Sequence, residues 1–279
     1  MFRLLFWAIL LATAVGAPVR AQEDSNPAED AWKDFSLKAL YAAGEHDNAR
    51  AEQFFLKAVH EAERFGPEDP RVGTTLNSLG LVYRSAKKFA DAESVERKAL
   101  AILEKSYGPD SIDVGNVNYN IASALIDQGK SAAAIPFLHK SLTIYEVQFG
   151  GNSLKTGSVL CMLGDSFRAQ KSWDEAEGPL KRCAQIREAD GGIVNADLGD
   201  ALNSLAQVYL HQGKYALADA QFKLAEKIRE RTLGIMSPAL ADTLEAHAAM
   251  LKEMGRDLEA VKDVTLAAAI RRAEKRTSK

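Results

Sequence analysis

The sequence predicts an all-α solenoid of about six stacked antiparallel helix pairs. Three observations lead to this prediction: a glycine that recurs every 42 residues, a helix-capping residue three positions after each glycine, and sets of small and large residues in fixed register between them. The 279 residues are 47% hydrophobic and 26% charged, with a formal net charge of −3. This composition excludes a disordered chain, and the small net charge provides no general electrostatic attraction to nucleic acid.

The recurring glycines mark where one predicted helix pair ends and the next begins. They are Gly66, Gly108, Gly150, Gly192 and Gly234. The residues three positions later, all favoured as helix N-caps, are Asp69, Ser111, Ser153, Asn195 and Ser237. Because glycine readily adopts the left-handed conformation that ends a helix, each unit is predicted to end at its glycine and to be followed by a new helix.

Within each unit, small and large residues recur in the same register. One large apolar set is Leu79, Ile121, Leu163 and Leu205, with His247 as the exception. Beside it lies a small set: Gly80, Ala122, Gly164, Ala206 and Ala248. A second small set is Ala92, Ala134, Ala176, Ala218 and Ala260, and a third is Ala99, Ser141, Cys183, Ala225 and Ala267. Small residues let two helices approach closely, and stacked pairs share one continuous core.

Residues 1–21 are predicted to be a secretory signal peptide. Arg3 precedes an apolar run over residues 4–15 that is too short to span a bilayer comfortably, and small residues follow it. Cleavage is expected after Ala21, since a cut after Ala17 would place Pro18 at the new terminus. An uncleaved membrane anchor is the alternative. The protein is therefore expected to be exported, to the periplasm in a Gram-negative bacterium and otherwise by secretion.

The rest of the chain divides into a flexible segment, the repeats and a short basic end. The flexible segment covers residues 22–28 and the basic end residues 277–279. The solenoid covers residues 29–276, in units of about 29–68, 69–110, 111–152, 153–194, 195–236 and 237–276.

The first unit is irregular. Leu37 and Tyr41 match the second unit at a spacing of 42, whereas Ala51 and Ala58 match it at 41. This difference predicts one extra residue in the turn of the first unit, as is common for a terminal repeat.

Four stretches of the sequence resemble a tetratricopeptide repeat in the 42-residue form seen in kinesin light chains. They are Thr75–Tyr83, Ala201–Tyr209, Gly213–Ala220 and Arg231–Gly234. The resemblance covers nearly all of the chain after the signal peptide. It implies a right-handed superhelix whose concave face binds peptides or partner helices.

A second stripe on the first helix of each unit, at positions i, i+3, i+7 and i+10, corresponds to the groove-lining stripe of proteins that resemble this one. Its members are Thr74, Asn77, Leu81 and Arg84; Asn116, Tyr119, Ser123 and Ile126; Ser158, Cys161, Asp165 and Arg168; and Asp200, Asn203, Gln207 and Leu210. Amide side chains offer both donors and acceptors to an extended backbone, Arg84 and Arg168 are suited to carboxylates, and Tyr119 offers contact area. The alternative is a solvated helix face without a partner.

No catalytic, metal or cofactor motif is apparent. The five histidines are His46, His60, His139, His211 and His247, and the chain contains no HExxH, no CxxC and no His pair at i, i+4. His247 is predicted to be a buried histidine whose polar atoms are satisfied by its neighbours. We therefore expect no catalytic residues, no metal ligands and no cofactor.

The two cysteines, Cys161 and Cys183, lie on the two helices of the fourth unit. Export makes a disulfide chemically feasible. If Gly164 faces Ala176, however, Cys161 lies nearer Leu180 than Cys183, about one helical turn out of register. This pairing disfavours a disulfide.

The sequence thus favours an exported, non-catalytic scaffold or adaptor that binds a protein or peptide in its groove. We expect no nucleic-acid partner and no stable membrane insertion after signal cleavage. The alternative is self-association, including a homodimer, through the last helix, where Val261, Val264, Leu266, Ala267 and Ile270 have no following unit to cover them.

Overall fold

The computed structural model describes residues 26–191 and 195–277, which form twelve α-helices and contain no β-strand. The predicted all-α fold is therefore confirmed. The predicted signal peptide and its cleavage site lie outside the described residues. Within those ranges, no helix combines the length and the apolar character needed to cross a bilayer.

Contacts divide the chain into two compact units, the first ending at Pro109 and the second beginning at Asp110. In the first unit the helices are α1 (Pro27–Gly44), α2 (Asn48–Glu63), α3 (Pro70–Ser85) and α4 (Phe89–Tyr107). Each odd-numbered helix packs on the helix that follows it, and α2 also packs on α3. The two helix pairs are therefore stacked in chain order.

The second unit contains four further helix pairs. They are α5 (Ile112–Asp127) with α6 (Ser131–Phe149), α7 (Leu154–Ala169) with α8 (Trp173–Gly191), α9 (Ala196–His211) with α10 (Tyr215–Leu233), and α11 (Pro238–Glu253) with α12 (Asp257–Thr277). The second helix of each pair packs against the first helix of the next pair. The small residues Ala122, Gly164, Ala206 and Ala248 are all buried between these helices, as predicted.

The predicted caps are formed by side chains. Asp69, Ser111, Ser153, Asn195 and Ser237 each accept a hydrogen bond from a backbone N–H in the first turn of the following helix. Four of the five recurring glycines have positive φ, and the fifth, Gly192, lies outside the described residues. Gly108, Gly150 and Gly234 combine φ of 85–86° with ψ of 153–159°. Only glycine occupies this region freely, so it is not the left-handed helical cap that we predicted.

The start of the first helix differs from the prediction. Residues 27 and 28, predicted to be flexible, form the first turn of α1, and the Asn26 side chain caps it by accepting a hydrogen bond from Ala28 N. Leu37 and Tyr41, predicted to lie in the core, are 69% and 64% exposed, whereas Ala39 and Ala42 are completely buried. No described helix precedes α1, so its outer side remains open to solvent.

The turn of the first repeat explains the error. His46 and Lys87 have nearly the same φ, 61° and 60°, and hold the same place in their turns. They are 41 residues apart, which is the spacing found in the second helix as well. The whole first repeat is therefore offset by 41, so the predicted extra turn residue is wrong and Ala39 is the counterpart of Gly80.

The two cysteines form a disulfide, contrary to the prediction. A side chain added at Gly164 would meet Leu180, not Ala176, so the two helices are offset by about one turn from the pairing that we assumed. The same register places Cys161 opposite Cys183. Their Cα atoms are 5.3 Å apart, and the two sulfur atoms are bonded.

Candidate functional site

The stripe on the first helices is mostly half-buried. Its half-buried members are Thr74, Asn77, Arg84, Asn116, Tyr119, Ile126, Ser158, Cys161, Asp165, Arg168, Asn203, Gln207 and Leu210. Leu81 and Asp200 are exposed. Ser123 is buried and donates a hydrogen bond to the Tyr119 carbonyl at 2.9 Å. Placing Ser123 on a groove surface is therefore wrong.

The first position of the stripe is occupied by a contact within its own helix pair. The Tyr145 hydroxyl donates to Asn116 Oδ1 at 2.7 Å. At the equivalent place one repeat later, Arg187 Nη2 donates to Ser158 Oγ at 2.7 Å. Each donor lies 29 residues after its acceptor. This stripe position therefore joins the two helices of a pair and is only partly available to a partner.

The same contact is made by arginine in the last two pairs. Arg229 Nη2 donates to Asp200 Oδ1 at 2.7 Å, and Arg271 Nη2 bonds Asp242, again with a spacing of 29 residues. Arg229 is buried and also donates to the Ala239 carbonyl at 2.6 Å. It thereby connects α10 to the beginning of α11. These arginine contacts are charge-assisted hydrogen bonds, which are stronger than neutral ones.

Tyr145 and Tyr119 form the aromatic part of the stripe. Their rings are stacked with centroids 6.3 Å apart. Burial raises the pKa of Tyr145, and the neighbouring Tyr119 adds to the rise. The Tyr145 hydroxyl therefore stays protonated and remains a hydrogen-bond donor to Asn116.

Stripe residues of neighbouring repeats contact one another in the second unit. Arg168 Nε donates to Asp165 Oδ1 at 3.0 Å, and Arg168 Nη1 donates to Gln207 Oε1 at 2.8 Å. The second bond joins α7 to α9, the first helices of adjacent repeats. We call the partly exposed stripe residues on α5, α7 and α9 the stripe surface; they are Asn116, Tyr119, Ser158, Asp165, Arg168, Asp200, Asn203 and Gln207.

Sequence profiles of the tetratricopeptide repeat match residues 35–105, 113–189 and 198–239. These ranges cover more than half of the chain. The chain belongs to the tetratricopeptide repeat (TPR) family. No curated protein sequence matches it.

Several solved structures are similar to this TPR chain. A putative kinesin light chain from Podosopora anserina with nearly identical TPR-like repeats is 17% identical, with a TM-score of 0.62 over 75% of this chain and 98% of that one. BtubC (BKLC) from P. vanneervenii is 22% identical, with a TM-score of 0.64 over 90% and 93%. YrrB, described as a TPR protein with an unusual peptide-binding site, is 16% identical, with a TM-score of 0.54 over 76% and 92%. At these identities the similarity shows the TPR fold alone.

Two members of the TPR stripe have unexpected surroundings. The sulfur of Cys161, predicted to face a partner, is bonded to Cys183. Asn203 Oδ1 is buried and has no hydrogen-bond partner among the described residues. An unpaired buried acceptor is costly, so Asn203 is the stripe residue whose polarity the surrounding TPR helices explain least.

In the first unit, the stripe belongs to α3. The Thr74 hydroxyl donates to the Arg71 carbonyl at 3.1 Å, and Leu81 is 45% exposed. Asn77 and Arg84 are half-buried on the same helix. This part of the TPR stripe therefore contributes one exposed apolar side chain between polar neighbours.

His247 is buried and its ring nitrogens are satisfied, as predicted. Nδ1 lies 2.7 Å from Glu226 Oε1, and Nε2 lies 3.0 Å from Asp219 Oδ1. Burial opposes a charged ring, but the hydrogen bonds to Glu226 and Asp219 outweigh it and raise the pKa of His247. Burial likewise opposes the Asp219 charge, yet hydrogen bonds with Lys223 and His247 hold the pKa of Asp219 at about 2.

The last TPR helix is only partly uncovered. Ala267 and Ile270, predicted to be exposed, are buried against Leu240 and Leu244 of α11, and Leu266 packs beside them. The prediction is therefore wrong for these residues, because the helix turns them towards its own partner helix.

Proposed function

We propose that this protein is an exported, non-catalytic TPR scaffold that binds an extended protein or peptide segment on its stripe surface. The observation that carries the proposal is the bond between Arg168 and Gln207, because it brings stripe residues of adjacent repeats side by side. The peptide-binding site named for YrrB, a protein of the same fold, agrees with this use of the fold.

The chemistry of the stripe surface favours recognition of a backbone over recognition of a charge. Arg168 is paired with Asp165 within the chain, and Asp200 is paired with Arg229. The sequence suggested that Arg168 meets a carboxylate of a partner, but it already holds one of its own chain. Amide groups such as those of Asn203 and Gln207 are suited to the N–H and C=O groups of an extended peptide.

Export and the absence of catalysis remain parts of the proposal. The segment 1–21 has the charged start, apolar run and small-residue end of a signal peptide, which supports a periplasmic or secreted location. The side chains of the stripe surface serve to join helices and to offer hydrogen bonds, which is the work of a binding surface.

The Asn203→Ala/Gln207→Ala double variant is expected to bind peptides about tenfold more weakly, because it removes two amide groups that each contribute roughly 1 kcal/mol. The probe is a fluorescently labelled peptide selected from a random library on the unmodified protein. Its affinity is measured by fluorescence anisotropy.

The matched control is Gln185→Ala, which removes an exposed amide from α8, a second helix outside the stripe. The control is expected to bind the peptide as the unmodified protein does. Enrichment of no peptide, or equal affinity of the double variant, would show that the stripe surface is not the binding site.

The alternative proposal is self-association through the outer face of α12. Leu258 and Val261 on this helix are 91% and 59% exposed, and Val264 is exposed beside them. Large side chains of this kind on one face of a helix are a common feature of protein interfaces. A second copy of the chain would bury this apolar strip against its own equivalent.

Changing Leu258 and Val261 to Asp is expected to keep the protein monomeric at concentrations where the unmodified chain dimerises, because a dimer would then bury charged groups. Light scattering over a range of concentrations measures the mass. The control, Ala133→Asp with Gln185→Asp, makes the same change of charge at exposed positions on α6 and α8. An unmodified chain that is monomeric throughout the range would refute self-association.

A further inference from the structure

His247 breaks the most regular feature of the repeat core. Its counterparts in four other repeats are leucine or isoleucine, and all of them are buried. His247 is itself only 3% exposed, and the ring of Phe222 stacks on it at 5.4 Å. A buried imidazole in an apolar position is costly unless its nitrogens have strong partners.

The Nε2 side of the ring faces one firmly held carboxylate. Asp219 Oδ1 lies 3.0 Å from Nε2. Asp219 is in turn paired with Lys223 at 2.8 Å and Arg256 at 3.0 Å. A carboxylate surrounded by two cations is ionised, so Nε2 carries a proton and donates it to Asp219. With Nε2–H fixed, the neutral ring directs the lone pair of Nδ1 to its other side.

The Nδ1 side faces two carboxylates from different helices. Glu226 Oε1 of α10 lies 2.7 Å from Nδ1, and Asp263 Oδ2 of α12 lies 3.1 Å from it. The three atoms all lie within 4.8 Å of one another. A single N–H can point at only one of the two oxygens. A cation bound to all three atoms satisfies both oxygens and the nitrogen together.

We infer that Glu226, His247 and Asp263 form a structural site for one divalent transition-metal ion of the zinc class. Imidazole nitrogen with carboxylate oxygens is a donor set that suits such ions. The distances from Nδ1 to the two oxygens are close to those between neighbouring ligands of an ion bound at ~2.0–2.2 Å. Asp219 completes the arrangement from the outside, because metal-bound histidines commonly donate their second N–H to a carboxylate.

The site joins the last three helices of the chain. Its ligands come from α10, α11 and α12, one from each. Glu226 is partly exposed, with 20% of its side chain accessible, so a hydrated ion has a route to the buried nitrogen. Bound metal would thus hold the final helix pair onto the preceding one. Spacing in the sequence gave no sign of this site, because the ligands lie 21 and 16 residues apart on separate helices.

The test uses the full-length chain, purified without a polyhistidine tag, freed of metal with EDTA and titrated with Co²⁺ and Zn²⁺. We expect one ion per chain, a visible Co²⁺ absorption band typical of nitrogen and oxygen ligands, and slower amide hydrogen exchange in α11 and α12 with Zn²⁺. Asp263→Asn and Glu226→Gln are expected to abolish the band. Asp219→Asn keeps all three ligands, and we expect it to bind Co²⁺ about 10–100-fold more weakly.

His211→Gln is the matched control, because it removes an exposed histidine from the preceding repeat. It is expected to bind Co²⁺ as the unmodified chain does. The inference is overturned if no Co²⁺ band forms, if the band persists in Asp263→Asn, or if it disappears in the control. Hydrogen exchange in α12 that responds to pH but not to Zn²⁺ would likewise overturn it, since His247 would then be a doubly protonated ring held by carboxylates.

Discussion

Replacing Glu96 by Leu is expected to stabilise the first unit by on the order of 4 kcal/mol at pH 8. Glu96 of α4 is fully buried, and among the described residues neither of its carboxylate oxygens has a hydrogen-bond partner. The equivalent residues of two later repeats, Leu138 and Leu180, are buried leucines. The substitution therefore restores the residue for which this position in the core is shaped, next to Gly80.

The effect depends on pH because burial raises the pKa of Glu96 to about 8, while Arg84 opposes the rise and Glu93 adds to it. Between the ordinary pKa of ~4.3 for Glu and about 8, the unfolded chain is ionised and the folded chain holds a proton. The folded state therefore binds more protons, and its stability falls as pH rises through this range. The gain from Glu96→Leu is expected to be largest at pH 8 and to shrink towards pH 5.

Hydrogen exchange of the α3 and α4 amides, measured with urea unfolding at several pH values, tests this expectation. Glu96→Gln keeps the shape of the side chain and cannot ionise, so the pH dependence should disappear in that variant. Glu104→Gln, an exposed residue of the same helix, is the control and should change the free energy of unfolding by less than about 0.5 kcal/mol. A first unit that is equally stable at pH 5 and pH 8 would contradict the prediction.

Removing the disulfide between Cys161 and Cys183 is expected to lower the free energy of unfolding by about 3 kcal/mol. The bond closes a loop with a sequence separation of 22 and so restricts the unfolded chain. The double variant Cys161→Asn/Cys183→Ala installs the residues found at these positions in the repeat that contains Asn203 and Ala225. It therefore changes the cross-link with little change to the packing.

Urea unfolding of the oxidised protein, the reduced protein and the double variant measures this effect. Reduction should destabilise the unmodified chain by about as much as the double substitution, and reductant should leave the variant unchanged. Thiols that react with an alkylating reagent in the oxidised, folded protein would show that the bond is not formed. An oxidised chain no more stable than the variant would show that the bond contributes nothing to stability.

The caps and the two small-residue positions illustrate what the amino-acid pattern could predict. Ser153 and Ser237 bond to backbone N–H groups only a few residues away, so their role depends on local chemistry. Gly164 and Ala206 lie on the buried side of their helices because helical periodicity assigns each residue to a face. Such properties belong to one helix at a time and can be read along the chain.

The groove prediction shows the limit of the same pattern. Periodicity placed Asp200 and Asn116 on one side of their helices, but it did not reveal that Arg229 and Tyr145 bond to them. The 42-residue spacing of Tyr145, Arg187, Arg229 and Arg271 was visible in the sequence as a signal. Its meaning required knowledge of which helix faces which.

The order of the helices, their ends and the residues on their buried faces thus followed from the linear pattern, because each depends on interactions within a few residues. The offset between neighbouring helices did not, because it is set when side chains of both helices interlock. That offset placed Cys161 beside Cys183, Glu96 beside Gly80 and His247 between the carboxylates of two other helices. In each case a shift of one turn would separate the groups by ~5 Å.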